Sequence, residues 1–149
     1  MADDAEVVAR IYIDSWNEGF GHLLGVRHHE PAQVGRWRTD LSAEASRWTV
    51  ATIDGEVVGF VGVCASRDPV DPQLGELETI AVDPVHWRRR VGRALMAHAE
   101  NQLRQRWAQA ILWTPAGYAR GHAFYLAMGW RPLSQERRAG TEVAFGRTL

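Results

Sequence analysis

The spacing of apolar positions along this chain changes several times, and each change marks an element. Val8, Ile11, Tyr12 and Ser15 recur at helical spacing. Asp3 and Glu6, three residues apart, form a capping-box pattern ahead of them, so a first helix is predicted from about Asp4 to Glu18. The glycines of Asn17 to His22 end it. Pro31 suits the first turn of a second helix, with Val34, Trp37 and Leu41 on one face. Trp48 to Ile53 and Glu56 to Ser66 then flank Asp54-Gly55, a strong two-residue hairpin signal. The second of these strands is apolar on both faces, which predicts an interior position. Arg67 to Gln73 contains two prolines and is predicted as a loop.

Gly75 to Val82 is again apolar or β-branched on both pleat faces and is stopped by Asp83-Pro84. From Val91 the period lengthens: Met96, Ala99, Leu103 and Trp107 line one helical face. Ala110 to Thr114 is a short strand stopped by Pro115. Joined to the Gly75 to Val82 strand by one helical crossover, it should lie parallel to it through a right-handed connection. Trp130 to Ser134, a polar turn over Gln135 to Gly140, and Thr141 to Phe145 predict a closing antiparallel pair. The fold class is α/β, a mixed sheet flanked by helices.

Composition narrows the partners. A chain of 149 residues, 46% hydrophobic and 23% charged, has the size and core of one domain spanning 1-149. Its net charge of −1 supplies no global field for nucleic acid or an anionic membrane. Cys64 is the only cysteine, so no disulfide forms within the chain, which fits a reducing compartment. No apolar run reaches membrane-span length and the N-terminus lacks a signal core, so a cytoplasmic location is expected. No metal-ligand spacing is read.

The chemistry concentrates between Trp87 and Ala94. Trp87-Arg88-Arg89-Arg90-Val91-Gly92-Arg93-Ala94 places main-chain amides, a helix N-terminus and several guanidinium groups at one point, as a phosphate site requires. The alternative is an ordinary turn with solvated arginines. The Gly-Lys-Ser/Thr ending of a triphosphate loop is missing, and so is the third glycine of a dinucleotide fingerprint.

This segment resembles the cofactor motif of the GNAT superfamily of N-acetyltransferases, Arg/Gln-x-x-Gly-x-Gly/Ala after a strand and an Asp-Pro-like turn. Two alignments are possible. In one, Arg89, Gly92 and Ala94 fill the motif. In the preferred one, Trp87 takes the Arg/Gln position, Arg90 the first glycine and Gly92 the last. Tyr118 to Pro132 is similar to the second signature of the family, Asn-x-x-Ala-x-x-Phe-Tyr-x-x-x-Gly-Phe/Trp. Phe124, Tyr125, Gly129 and Trp130 match it, whereas Tyr118 and Gly121 replace its asparagine and alanine.

The resemblance implies a three-layer fold with a mostly antiparallel sheet and a splayed parallel strand pair. It also implies acetyl-coenzyme A (CoA) as cofactor, its diphosphate held by the amides of the Trp87 to Ala94 corner. Ile80, Ala81 and Val82 would line the pantetheine arm, with Tyr118, Phe124 and Tyr125 on its other side. The strand that usually precedes the first helix is missing, and a partner subunit in a homodimer could take its place.

The implied reaction is direct acetyl transfer to a small-molecule or peptide amine. An alkylamine is about one part in a thousand neutral at pH 7, a deficit of roughly 4 kcal/mol, so a base is required. Glu76, with Glu78 on the same pleat face, is the candidate base, and Tyr125 is by resemblance the acid for the leaving thiolate. An ion pair with arginine is the other reading of the carboxylates. A main-chain N–H near Ala81 or Val82 would stabilise the oxyanion. His22, His28, His29 and Glu30 are candidates on the acceptor side, or simply solvated loop residues. Alternatives of other classes are a catalytically silent CoA-binding sensor or docking module, a nucleic-acid binder using Arg88, Arg89, Arg90 and Arg93, and Cys64 as an acyl-carrying nucleophile.

Overall fold

A computed structural model describes residues 1–149. Ten regular elements follow in order: α1 (Ala5–Leu24), α2 (Pro31–Ser42), β1 (Ser46–Ile53), β2 (Glu56–Arg67), β3 (Val70–Val82), α3 (Val91–Arg104), β4 (Gln109–Pro115), α4 (Ala119–Ala127), β5 (Arg131–Arg137) and β6 (Glu142–Thr148). The strands form one sheet in the order β1-β2-β3-β4-β6-β5. Every neighbouring pair is antiparallel except β3 and β4. This is the mixed sheet with one parallel pair that the sequence predicts, and its earliest strand is β1, after α2.

Each face of the sheet is covered by helices, giving three layers. On one face Met96, Ala99 and Leu103 of α3 are fully buried against Val61, Val63, Leu77 and Trp130. Trp107, beyond the helix end, packs on the same cluster and donates its indole N–H to Pro72 O at 3.0 Å. On the other face Ala5, Val8 and Ile11 of α1 and Leu41 of α2 pack on Phe60 and Ala81. The two faces are read from one strand: Leu77 and Ile80 of β3 belong to the α3 side, Ala81 to the α1 side.

Several expected boundaries shift, each for a tertiary reason. Helix α1 continues through Gly19 and Gly21 to Leu24, and within this extension the Phe20 ring packs edge-on against Tyr118 at 4.4 Å. The box expected of Asp3 and Glu6 does not form; Asp3 sits in a short 3-10 turn and offers no side-chain cap. A capping box does form at Glu30 and Gln33, opening α2. The predicted Arg67 to Gln73 loop is a hairpin instead, with Arg67 opposite Val70 and Ser66 opposite Asp71. A register shift beyond that pair absorbs Pro72, where no ladder N–H is needed. Strand β5 likewise takes in Gln135, Glu136 and Arg137, leaving Arg138, Ala139 and Gly140, all at positive φ, to make the turn.

The junction that aims α4 is fixed by a buried carboxylate. Glu100 of α3 accepts the Trp130 indole N–H at 3.1 Å and pairs with Arg104 at 3.3 Å and Arg147 at 3.5 Å. Gly129, at φ +90, lets the chain leave α4, and Arg147 donates to its carbonyl at 3.1 Å. At the other end of α4, the Tyr118 ring folds over Gly121: a Cβ there would lie 2.1 Å from Tyr118 Cδ1.

That contact makes Tyr118 and Gly121 a coupled pair. Gly121→Ala should raise helix propensity by about 1 kcal/mol in an open helix, yet here it should destabilise by about 1–3 kcal/mol through overpacking. Urea unfolding of Gly121→Ala, Tyr118→Ala and the double variant should return a coupling energy above about 0.5 kcal/mol. Additive effects would contradict the contact.

Candidate active site

The site begins where the β3–β4 ladder stops. Gly75 pairs with Ala110 and Glu76 with Ile111, and no further residues of the two strands are in register. Just past the last pair, β3 carries a bulge: Gly62 faces Thr79 and Val63 faces Leu77, so Glu78 has no partner on β2. A bulge bends its strand and sharpens its twist. The diverging strands leave main-chain N–H and C=O groups of β3 and β4 facing one another without a ladder, over a cleft of about 600 Å³.

One end of the cleft is basic. Trp87, Arg88, Arg90, Val91, Gly92 and Arg93 line it where α3 begins, and Arg120 of α4 lines it from across. Arg89 and Ala94 do not. Arg88 and Arg90 adopt left-handed backbone, φ +66 and +65. Arg90 immediately precedes α3 and so holds the conformation a glycine would, which matches the alignment placing it at the first glycine of the motif. The corner is braced. Trp87 donates its indole N–H to Val82 O at 2.8 Å, and the Arg120 guanidinium lies 4.0 Å over the Trp87 ring. Buried Asp83 accepts from Arg10 of α1 at 2.8 Å, and this hydrogen bond raises the pKa of Arg10.

The floor of the cleft is aromatic and hydroxylic. Tyr118, Phe124 and Tyr125 come from α4 and its N-terminal flank, and Ile80, Ala81 and Val82 from β3. Burial drives the Tyr125 pKa well above the ordinary phenol value; Tyr118 adds to this and the neighbouring Thr114 hydroxyl opposes it. Burial also raises the Tyr118 phenol. Thr114 of β4 is 2% exposed and lines the cleft; its hydroxyl lies near the Tyr125 phenol but makes no hydrogen bond of good geometry. His86 Nδ1 is likewise buried and unpartnered in the cleft wall. Orphan polar atoms at the floor, a donor-rich helix start at one end and an unladdered strand edge between suit a long ligand with an anionic head and an amide-bearing arm.

The two candidate carboxylates are placed differently. Glu78 lines the cleft, accepting from Arg67 at 2.8 Å and the Ser46 hydroxyl at 2.7 Å. Glu76 is 8% exposed, does not line the cleft, and accepts the Arg67 main-chain N–H at 3.0 Å. Its pKa is raised, chiefly by burial, although that N–H and Arg137 pull it down. The sequence ranks Glu76 first; the strand geometry puts Glu78 at the surface of the cavity. Cys64 is buried, and its thiol is pushed up to about 12, mainly by burial, which keeps it protonated at neutral pH.

His22, His28, His29 and Glu30 are exposed and none of them lines the cleft. His29 instead lies 3.0 Å from Asp14, and Glu30 caps α2. Their neighbour Arg27 does line it, together with Tyr12, Trp16 and Phe20 of α1 and Trp113 and Arg137 at the far end. The sequence offers one clue to these: Tyr12, Trp16 and Phe20 recur every fourth residue, an aromatic stripe along α1.

No helix is long and apolar enough to cross a membrane. A comparison with curated protein sequences finds no match. Solved structures share the architecture. An acetyltransferase from Thermus thermophilus superposes with a TM-score of 0.82 at 17% identity, over 100% of this chain and 93% of that one. The ribosomal-protein-alanine N-acetyltransferase from Brucella melitensis gives 0.80 at 18%, over 100% and 96%. The PaiA N-acetyltransferase from Thermoplasma acidophilum, in complex with coenzyme A, gives 0.75 at 13%, over 99% and 94%. The Acetyltransferase (GNAT) family profile matches residues 5–130, which takes in the splayed strands, the basic corner and α4, and the chain belongs to that family.

Proposed function

We propose that the protein transfers an acetyl group from acetyl-CoA directly to a primary amine. The single observation that carries this reading is the cleft itself, running from the helix N-terminus at Val91 to the half-buried Tyr125 between strands that no longer pair. CoA supplies an activated acyl thioester when bound. The amides of Val91, Gly92 and Arg93, with Arg88, Arg90 and Arg120 around them, would hold its diphosphate. The exposed edge of β3 from Glu78 to Val82 would take its amide arm.

The remaining chemistry belongs to proton positions on this chain. Tyr125 is protonated at neutral pH, as a phenol ordinarily is, and burial keeps it so at higher pH, so its Oη is available to hydrogen-bond or protonate a leaving thiolate. Of the two candidate carboxylates of β3, Glu78 is the one that lines the cavity and would receive the ammonium proton, with Glu76 behind it. Tyr12, Trp16 and Phe20 wall the acceptor end and limit water there. Arg90 and Tyr118 depart from the family motifs, which would suit a binding-only module, yet Arg90 keeps the left-handed backbone a glycine would adopt.

Two outcomes test the reading. Calorimetry should detect CoA binding to the purified protein, and Tyr125→Phe should keep that affinity while lowering kcat by about 10²–10⁴-fold. Loss of affinity with no separate loss of kcat would contradict the assignment. Because the Tyr125 pKa is raised above its usual value of about 10, its acid form persists as pH rises. The wild-type rate should therefore show no alkaline decline below about pH 10 traceable to Tyr125.

A further inference from the structure

A second, smaller cavity of about 290 Å³ opens from the cleft between α1, α2 and β1, and the two share Tyr12, Arg27, Glu78 and Thr79. Arg27 stands at the junction. It lies in the loop between α1 and α2, yet its backbone is pinned: Asn17 accepts its N–H at 2.7 Å and donates to its carbonyl at 2.8 Å. Its guanidinium stacks 3.4 Å over the Trp16 ring and reaches the Tyr12 hydroxyl at 3.4 Å. A guanidinium stacked on an aromatic face keeps its edge N–H groups available as a planar fork.

What Arg27 lacks is an anion. The arginines elsewhere along this part of the cleft each have a carboxylate: Arg67 has Glu78, and Arg137 and Arg138 share Glu142. No carboxylate lies within 4.0 Å of Arg27, and its partners are a phenol, a ring and an amide side chain. Arg36, also on the smaller cavity, is similarly without an ion pair. A preorganised fork facing a cavity, with no acid to satisfy it, is the arrangement that recognises a carboxylate. Asp40 and Glu78 line the same space, so the local charge suits a single negative group better than a phosphate dianion.

We infer that the acceptor is an amine that also carries a carboxylate, its ammonium directed to Glu78 and its carboxylate held by Arg27. This deepens the acetyltransferase reading and rests on it. Arg27 is thus the residue that sets specificity, selecting an amino-acid-like acceptor over a neutral amine or a polyamine.

Three acceptors of matched length test it: 4-aminobutanoate, 1-aminobutane and 1,4-diaminobutane, each assayed by acetyl-CoA consumption. The wild type should favour 4-aminobutanoate by about tenfold or more in kcat/KM, a difference of about 1.4 kcal/mol. Arg27→Glu should reverse the order in favour of the diamine. Arg27→Met, which keeps the packing on Trp16, should raise KM for 4-aminobutanoate with kcat changed far less. CoA affinity by calorimetry should be the same in all three proteins, since Arg27 lies away from the α3 corner, and this also reports correct folding. Wild-type preference for the diamine, or an unchanged KM in both variants, overturns the inference. Binding of CoA with no turnover of any of the three overturns it while leaving the cofactor reading intact; absence of CoA binding removes both.

Discussion

Everything in this molecule that bears on chemistry depends on a ladder that stops early. Parallel strands ordinarily satisfy each other's N–H and C=O groups along their whole length. Here β3 and β4 do so at Gly75 and Glu76 only, and then part. The energetic cost of leaving those groups without a strand partner is tolerable because they line an open cleft, where water or a ligand amide can satisfy them. The bulge falls at Glu78, where a bend is expected, and Glu78 lines the cavity that Glu76 does not reach. A single irregularity thus sits where the cleft opens and beside the β3 carboxylate that lines it.

The parts around that gap are held rigid by contacts far apart in the chain. Arg10 of α1 grips Asp83, tying the basic corner to the opposite layer. Glu100, Trp130 and Arg147 lock the end of α4, which sets the position of Tyr125. Tyr118 and Gly121 show how two departures from a family pattern can be one change: the larger ring is accommodated by the missing methyl three residues on, and it then meets Phe20 on α1. The floor of the cleft and its aromatic wall are joined through that contact.

Charge is divided along the cleft. Arg88, Arg90, Arg93 and Arg120 crowd the α3 end, where a helix N-terminus adds its own positive field. At the acceptor end the cations are mostly neutralised by carboxylates, and Arg27 stands out as one that is not. In a protein with net charge −1, this separation is local design and owes nothing to the overall field.

The sequence by itself determined the features that depend on short-range patterns. The Asp54-Gly55 hairpin, the Met96, Ala99, Leu103 seam and the strand-turn-helix around Gly92 were all legible, because turn chemistry and periodicity act over a few residues. The association of Phe124 and Tyr125 with the basic corner came only from the resemblance to the GNAT signatures, and both line the same cleft as that corner. Tertiary structure alone decided the rest. Two prolines argue for a loop at Arg67 to Gln73; in the fold Pro69 takes the tight turn and a bulge absorbs Pro72, so pairing runs up to the turn on both sides. The sequence singles out His22, His28, His29 and Glu30 in this region and not Arg27, whose place at the cavity is set by the Asn17 clamp and the Trp16 ring, both ten or so residues away in sequence. Likewise no spacing rule ranks Glu78 above Glu76. A strand's bend depends on what it pairs with, and partners are chosen by the folded chain as a whole.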